Sequence, residues 1–276
     1  MKVFMAFKPN QHRSARVQTA FTKAITQAGH KPWGRTSDAD AAIIYGLGPT
    51  HKDYYGEMRV RDKPVLCVDL GYWNRSYSLG DCAMYKVSPN YWHPQEAIRA
   101  IADPGPERRK ALGLVVRPWQ DNPRGHIVLA GMGQKSCVLY QYPDQSWDLA
   151  AVQEIRQNTD RQIYYKPKPS WRGCPPIAGT VYRCDEPIEE TLNGAWALVT
   201  HHSNAAVDAL LCGIPTFSWD GAAKYQSCSD LSLIESPKRP EDREVLLDKL
   251  VYFNWSVGEM ASGDCWRFMW KNFIRG

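Results

Sequence analysis

The chain has 276 residues, is 43% hydrophobic and carries a formal net charge of +5, enough length and apolar content for two medium α/β domains. No run of eighteen apolar residues occurs, which excludes a membrane-spanning helix, and the first ten residues, MKVFMAFKPN, turn polar too quickly for a signal peptide. The eight cysteines are scattered without a CxxC pair, and Cys67, Cys137 and Cys212 fall inside apolar runs, which excludes a disulfide framework or zinc site and points to a reducing cytoplasm. The mild positive charge fits a polyanionic partner or a phosphate-bearing ligand. The 11 tryptophans and 14 tyrosines suit stacking against sugars or bases.

In chain order, residues 2–7 read as a buried strand and 8–13 as a polar loop. A helix follows from Ser14, which caps it, to Gly29, which ends it; Val17, Ala20, Phe21, Ala24, Ile25 and Ala28 recur three and four apart. Ala41–Tyr45 is a second strand, running into the turn Gly46-Leu47-Gly48-Pro49, and Val65–Leu70 is a third, running into Gly71. These near-continuously apolar strands indicate a parallel sheet covered on both faces. Residues 72–94 read as a long, irregular, aromatic loop of the functional or lid-like kind. Residues 100–123, rich in proline and charge, are the linker candidate.

A second alternation starts at His126: strand IVLAG, loop GMGQKS, a helix from about Trp147, strand QIYYK, a proline-rich turn, strand TVYRC and a short helix at Ile188–Leu192. Residues 195–219, AWALVTHHSNAAVDALLCGIPTFSW, then form one strand–helix–strand crossover, with Ser203 or Asn204 as N-cap and Gly213 and Pro215 as the stop. Residues 240–253 form an amphipathic helix, and 255–274 are helical. The fold expected is α/β: two Rossmann-like parallel-sheet domains facing a cleft. The first spans 1–110 and the second 111–254, and a C-terminal helix at 255–276 returns to the first.

Chemistry concentrates at strand ends. A helix N-terminus at the carboxyl end of a parallel strand favours anions, so the stretch His201, His202, Ser203, Asn204 is read as a ligand contact, with a merely structural crossover as the alternative. Adjacent histidines at a strand end point in different directions, which is poor geometry for one metal, and no HExxH accompanies them. Lys166 and Lys168 alternate with prolines in KPKP, so two cations sit on a stiff extended turn, facing either a pyrophosphate or solvent. Gly131, Gly133, Gln134, Lys135 and Ser136 follow a strand; glycines allow close backbone approach, although the pattern is neither GxGxxG nor a P-loop. Asp69 ends a first-domain strand and is placed for a general base or a turn cap. Asp38-Ala39-Asp40 precedes its strand and reads as a turn rather than a metal-binding DxD. No GxSxG elbow occurs.

The succession YYKPKP, THHSNAAVDALLCGIPTFSW and LSLIESP resembles the donor-binding half of GT-B glycosyltransferases, nearest to capsule-type sugar transferases and related phage-encoded proteins. Lys168 stands where that family's turn carries histidine, and Asp208 where its helix carries an acidic residue. VLCVDLGYWNR, residues 65–75, also resembles a segment of the phage proteins. The resemblance implies a metal-independent transferase without cofactor, using a nucleotide sugar, UDP-linked by preference. Donor binding then falls to Gly131, Gly133, Gln134, Lys135, Lys166, Lys168, His201, Ser203, Asn204 and Asp208, and catalysis to His202 and Asp69. The expected acceptor is a hydroxymethylated pyrimidine in double-stranded phage DNA. It would be held by Arg75, Tyr72, Trp73 and Lys86, with Tyr77, Tyr91 and Trp92 for stacking and Arg59, Arg61 and Lys63 along the phosphates. A surface glycan is the alternative acceptor, and a non-catalytic nucleotide- or DNA-binding protein the alternative class. The expected location is the cytoplasm, that of the host if phage-encoded, with no membrane and no obligate protein partner.

Overall fold

The computed structural model describes residues 1–8, 10–46 and 48–275, with the side chains of Pro49 and Tyr77 also outside the description. Pro9 of the expected first loop and Leu47 of the expected Gly46–Pro49 turn lie outside the described residues. The strands are β1 (Lys2–Ala6), β2 (Lys31–Trp33), β3 (Ala41–Tyr45), β4 (Val65–Leu70), β5 (Met84–Pro89), β6 (His126–Ala130), β7 (Ile163–Lys166), β8 (Val181–Tyr182), β9 (Ala195–Thr200), β10 (Thr216–Ser218) and β11 (Asn254–Ser256). The α-helices are α1 (His12–Gln27), α2 (Pro49–Val60), α3 (Gln95–Ala100), α4 (Glu107–Ala111), α5 (Gln134–Tyr140), α6 (Ser146–Asn158), α7 (Ile188–Leu192), α8 (Ala205–Cys212), α9 (Arg243–Leu250), α10 (Val257–Ala261) and α11 (Asp264–Met269).

Two compact units result: Met1–Pro104 with Lys249–Gly276, and Gly105–Asp248. Both boundaries fall a few residues before those expected from composition. The expected linker is ordered, because Arg109 of α4 is buried and bonds Asp248 of α9 through Nε at 2.5 Å and Glu244 through Nη2 at 3.0 Å.

In the first unit the sheet order is β11-β5-β4-β3-β1-β2. The pairs β1–β2, β1–β3 and β3–β4 are parallel, whereas β5 runs antiparallel to both β4 and β11. Residues 72–94 are therefore not one irregular loop: they hold a 3₁₀ segment at Tyr77–Cys82 and the buried strand β5. Strand register puts Phe4, Ala6, Ala42, Ile44, Val65 and Cys67 on one face, where they pack with Met58, Tyr54 and Tyr55 of α2. Helix α1 starts at His12, two residues before the expected cap; Ser14 lies inside it, and its Oγ accepts from Lys8 N at 2.7 Å. The C-terminal segment is not a single helix but β11, α10, α11 and a π-type turn at Trp270–Ile274. Ser256 and Glu259 form a reciprocal capping box at the start of α10. Lys2 binds both acidic residues of the Asp38–Asp40 stretch, through Nζ to Asp38 and through N to Asp40, so those carboxylates brace β1.

In the second unit the sheet is wholly parallel in the order β10-β9-β6-β7-β8. Its first strand, β6, is central: the chain proceeds to β7 and β8 on one side and to β9 and β10 on the other. Ligands in open α/β sheets bind at such a reversal of strand order, at the carboxyl ends. Ile127, Leu129, Ile163, Tyr165, Ala197, Val199 and Phe217 are buried against Trp147, Val152 and Ile155 of α6. Helix α8 ends at Gly213, whose φ of +76° is left-handed. Among the described residues no helix is long and apolar enough to cross a membrane.

Candidate functional site

The loops after β6 and β9 leave the sheet where the strand order reverses. Thr200 Oγ1 donates to Ala130 O at 2.8 Å, tying the two strand ends together. From this tie the β9 loop carries His201 and His202, both buried. Their Nδ1 atoms lie 2.9 Å apart, so the two rings share one proton between those atoms. His202 Nε2 is 2.9 Å from Ser136 Oγ of α5, which spans the reversal point from the β9 loop to the β6 loop. Tyr140 stacks on His202 at 4.9 Å, contacts His201 at 4.5 Å, and its Oη donates to Asp220 Oδ2. Burial holds the His201 imidazole below its ordinary value, opposed by Asp220. Gly221, at φ +91°, lets the loop after β10 pass so close that a Cβ there would lie 2.9 Å from His202 O.

Beneath the β6 turn is a buried network that the sequence reading did not anticipate. Asp148 of α6 accepts from Met132 N at 3.0 Å and from Tyr165 Oη at 2.7 Å. Gln145 Nε2 donates to Tyr165 Oη and to Pro175 O. A Cβ on Gly131 would lie 2.7 Å from Asp148 Oδ2 and 2.9 Å from the Tyr165 ring, so only glycine fits above the carboxylate. Asp148 is fully buried, and desolvation pushes its carboxyl above the ordinary value against the pull of both hydrogen bonds.

The two lysines of the KPKP turn separate. Lys166 is buried, and its Nζ donates to the carbonyls of Cys184 and Glu186, turning its charge toward the segment after β8. This corrects the expectation that both lysines face a pyrophosphate; desolvation also lowers the Lys166 ammonium. Lys168 stays with the site, its stem packed over Gly133, where a Cβ would lie 3.2 Å from Cδ. Gln134 and Lys135 open α5 and are exposed.

At the start of α8, Asn204 occupies the N-cap position without a side-chain cap bond. Ser203 Oγ accepts from Ala205 N, and Ser203 N itself donates to Thr200 Oγ1 at 3.3 Å. The Ser203 amide therefore serves the strand end. Asp208 is buried within the first turn of α8.

The residues read as an acceptor surface in the first unit do not form one. Tyr72, Trp73, Trp92 and Lys86 are all buried, whereas Tyr91 is exposed. Arg75 is half-buried, and the Tyr77 side chain lies outside the description. Arg59 donates to Lys63 O and Asn90 Oδ1, and Arg61 to Thr36 O, so these guanidinia support loops. The physical reason is β5: as a strand rather than a loop, it draws its aromatic flanks into the core. Asp69, near the end of β4, pairs in register with Lys86 of β5 on the α2 side of the sheet, and its Oδ1 accepts from Leu70 N. Among the described residues no three histidine, cysteine or acidic side chains gather into a possible metal site.

No protein-family model and no curated protein sequence matches the chain. Solved structures do. The beta Kdo 2,7 transferase of Thermosulfurimonas dismutans KpsC is 12% identical, covers 96% of this chain and 98% of its own, and superposes with a TM-score of 0.58. The beta Kdo 2,4 transferase of the same KpsC is 13% identical, covers 91% of each chain, and gives a TM-score of 0.55. Both are glycosyltransferases, and the fold of this chain is of their GT-B type.

Proposed function

We propose that the protein is a glycosyltransferase that takes its sugar from a nucleotide-sugar donor, UDP-linked by preference, and passes it to a hydroxyl group of a glycan. The observation that carries this reading is the hydrogen-bonded bridge from His202 to Ser136 across the strand-order reversal of the second unit, beside a glycine turn braced by Asp148. The donor phosphates would lie there against Gly131, Gly133, Lys168, Ser203 and Asn204, with His202 buried behind the leaving group. The GT-B fold supports the reading, and both neighbours bear the name transferase. Asp69 is the proposed base for the acceptor hydroxyl.

Of the two acceptors, the burial of Tyr72, Trp73 and Trp92 favours a glycan over a flipped DNA base, because it removes the stacking surface. Leaving-group charge would be met by Lys168, His202 and backbone amides without metal. The test is nucleotide release from UDP-, TDP-, GDP- and CMP-sugars in the presence of EDTA. Release from at least one donor, accelerated by a glycan acceptor, supports the assignment. No release from any of them, with or without divalent metal, removes it.

A further inference from the structure

His202 is buried and cannot meet a ligand broadly, whereas Ser136, its hydrogen-bond partner, is only half-buried on α5. The buried end of the chain is equally defined. His201 Nδ1 faces His202 Nδ1 at 2.9 Å, and its ring is enclosed by Tyr140, Tyr142 and Trp147 at 4.5, 5.6 and 5.5 Å. The charged and titratable groups against the pair are Asp220 from the segment after β10, and Tyr140 and Tyr142 from α5 and the loop beyond it.

Two close imidazole Nδ1 atoms admit one proton between them, so the pair accepts a single positive charge. When it does, His202 donates from Nδ1 to His201 and from Nε2 to Ser136. Ser136 Oγ is then an acceptor on its inner side, and its own O–H turns outward, toward solvent or ligand.

Resting on the transferase reading above, we propose that Ser136 is a catalytic residue, the outer end of a His201–His202–Ser136 proton relay that protonates the leaving phosphate. As the bond between the sugar's anomeric carbon and the phosphate oxygen breaks, that oxygen takes the Ser136 hydroxyl proton. Ser136 takes the Nε2 proton of His202, and His202 ends as a neutral ring still donating from Nδ1 to His201. The acceptor hydroxyl's proton goes to Asp69, so charge balances, and both groups reset from solvent. Of the two rings, His202 has a partner beyond the pair for its second nitrogen, Ser136 Oγ at 2.9 Å from Nε2, so the pair's single charge passes outward through His202.

UDP, the product of the preferred donor class, is the probe, and its affinity is measured by calorimetry from pH 5 to 8 for the wild type and for Ser136→Ala, Ser136→Thr and His202→Gln. The relay requires that wild-type affinity rise as pH falls and the histidine pair takes its charge, by about tenfold more than UDP's own titration gives in Ser136→Ala. Ser136→Thr, which keeps a hydroxyl, retains the rise, and His202→Gln, which keeps a donor to Ser136 but cannot titrate, loses it. The same pH dependence in Ser136→Ala as in the wild type would overturn the relay alone, since His202 would then meet the phosphate directly. Absence of UDP binding by the wild type at every pH would overturn the UDP preference and the relay together. Should Ser136→Ala fail to fold, the Thr and Gln variants decide the matter.

Discussion

Tyr165 Oη donates to Asp148 Oδ2 at 2.7 Å directly under Gly131, so the β6 turn rests on a buried carboxylate. Tyr165→Phe strips that oxygen of its donor and leaves the carboxylate under-satisfied, which should cost about 1–3 kcal/mol of stability. Gly131→Ala forces a methyl group against both partners, with a cost of about 1–3 kcal/mol and displacement of the turn. Denaturant unfolding of the two variants measures the costs, and a change below about 0.5 kcal/mol in both would show that the network does not brace the turn.

The same carboxylate gives stability a pH dependence. Burial raises the Asp148 pKa, so the folded protein holds this proton more tightly than the unfolded chain. Its contribution is therefore full below the unfolded value of about 3.9 and is lost as pH rises through the folded value. The melting temperature of the wild type minus that of Asp148→Asn should fall as pH rises above about 4 and level off once the folded value is passed. A difference that rises with pH would mean that the hydrogen bonds from Tyr165 and Met132 outweigh desolvation.

Lys166 and Lys168 should behave differently although they are two residues apart. Lys166→Met removes the ammonium that binds the Cys184 and Glu186 carbonyls and should lower the melting temperature, with a loss of about 1–3 kcal/mol. Lys168→Ala should leave the melting temperature within about 0.5 kcal/mol of wild type and weaken nucleotide binding. Thermal unfolding with and without UDP separates the two, and identical behaviour of the variants would refute the division of roles.

Arg109 and Asp248 form a buried ion pair, with both side chains almost fully enclosed. Asp248→Ala leaves the guanidinium with only the exposed Glu244 as its charge partner and should cost about 3–5 kcal/mol. Double substitution to apolar residues of similar volume should recover most of that loss. A single variant as stable as the wild type would mean that water reaches the pair.

The second unit was the more legible half because its strands are short apolar runs separated by glycine and proline. β6, β7, β9, α8 and β10 follow from that pattern, and so does the placement of His201 and His202 at a strand–helix junction. The first unit was harder. β5 contains Lys86 and ends in proline, so its residues read as loop, yet register with β4 buries them. α2, PTHKDYYGEMRV, lacks apolar periodicity, and its packing rests on Tyr54, Tyr55 and Met58. At the site, the direction of Lys166 and the contact between Ser136 and His202, far apart in sequence, depend on tertiary placement that no local spacing encodes. Asp148 gave no signal beyond an acidic residue in a helix's first turn.

Calorimetric titration of UDP into the wild type, His202→Ala, Lys168→Ala and Asp69→Asn tests most directly whether the carboxyl ends of β6 and β9 hold a nucleotide donor. The account predicts binding by the wild type and by Asp69→Asn with equal affinity, and a loss of about tenfold or more, roughly 1.4 kcal/mol, in each of the other two. Wild-type affinity in both His202→Ala and Lys168→Ala, with either variant folded as judged by its melting temperature, would contradict it.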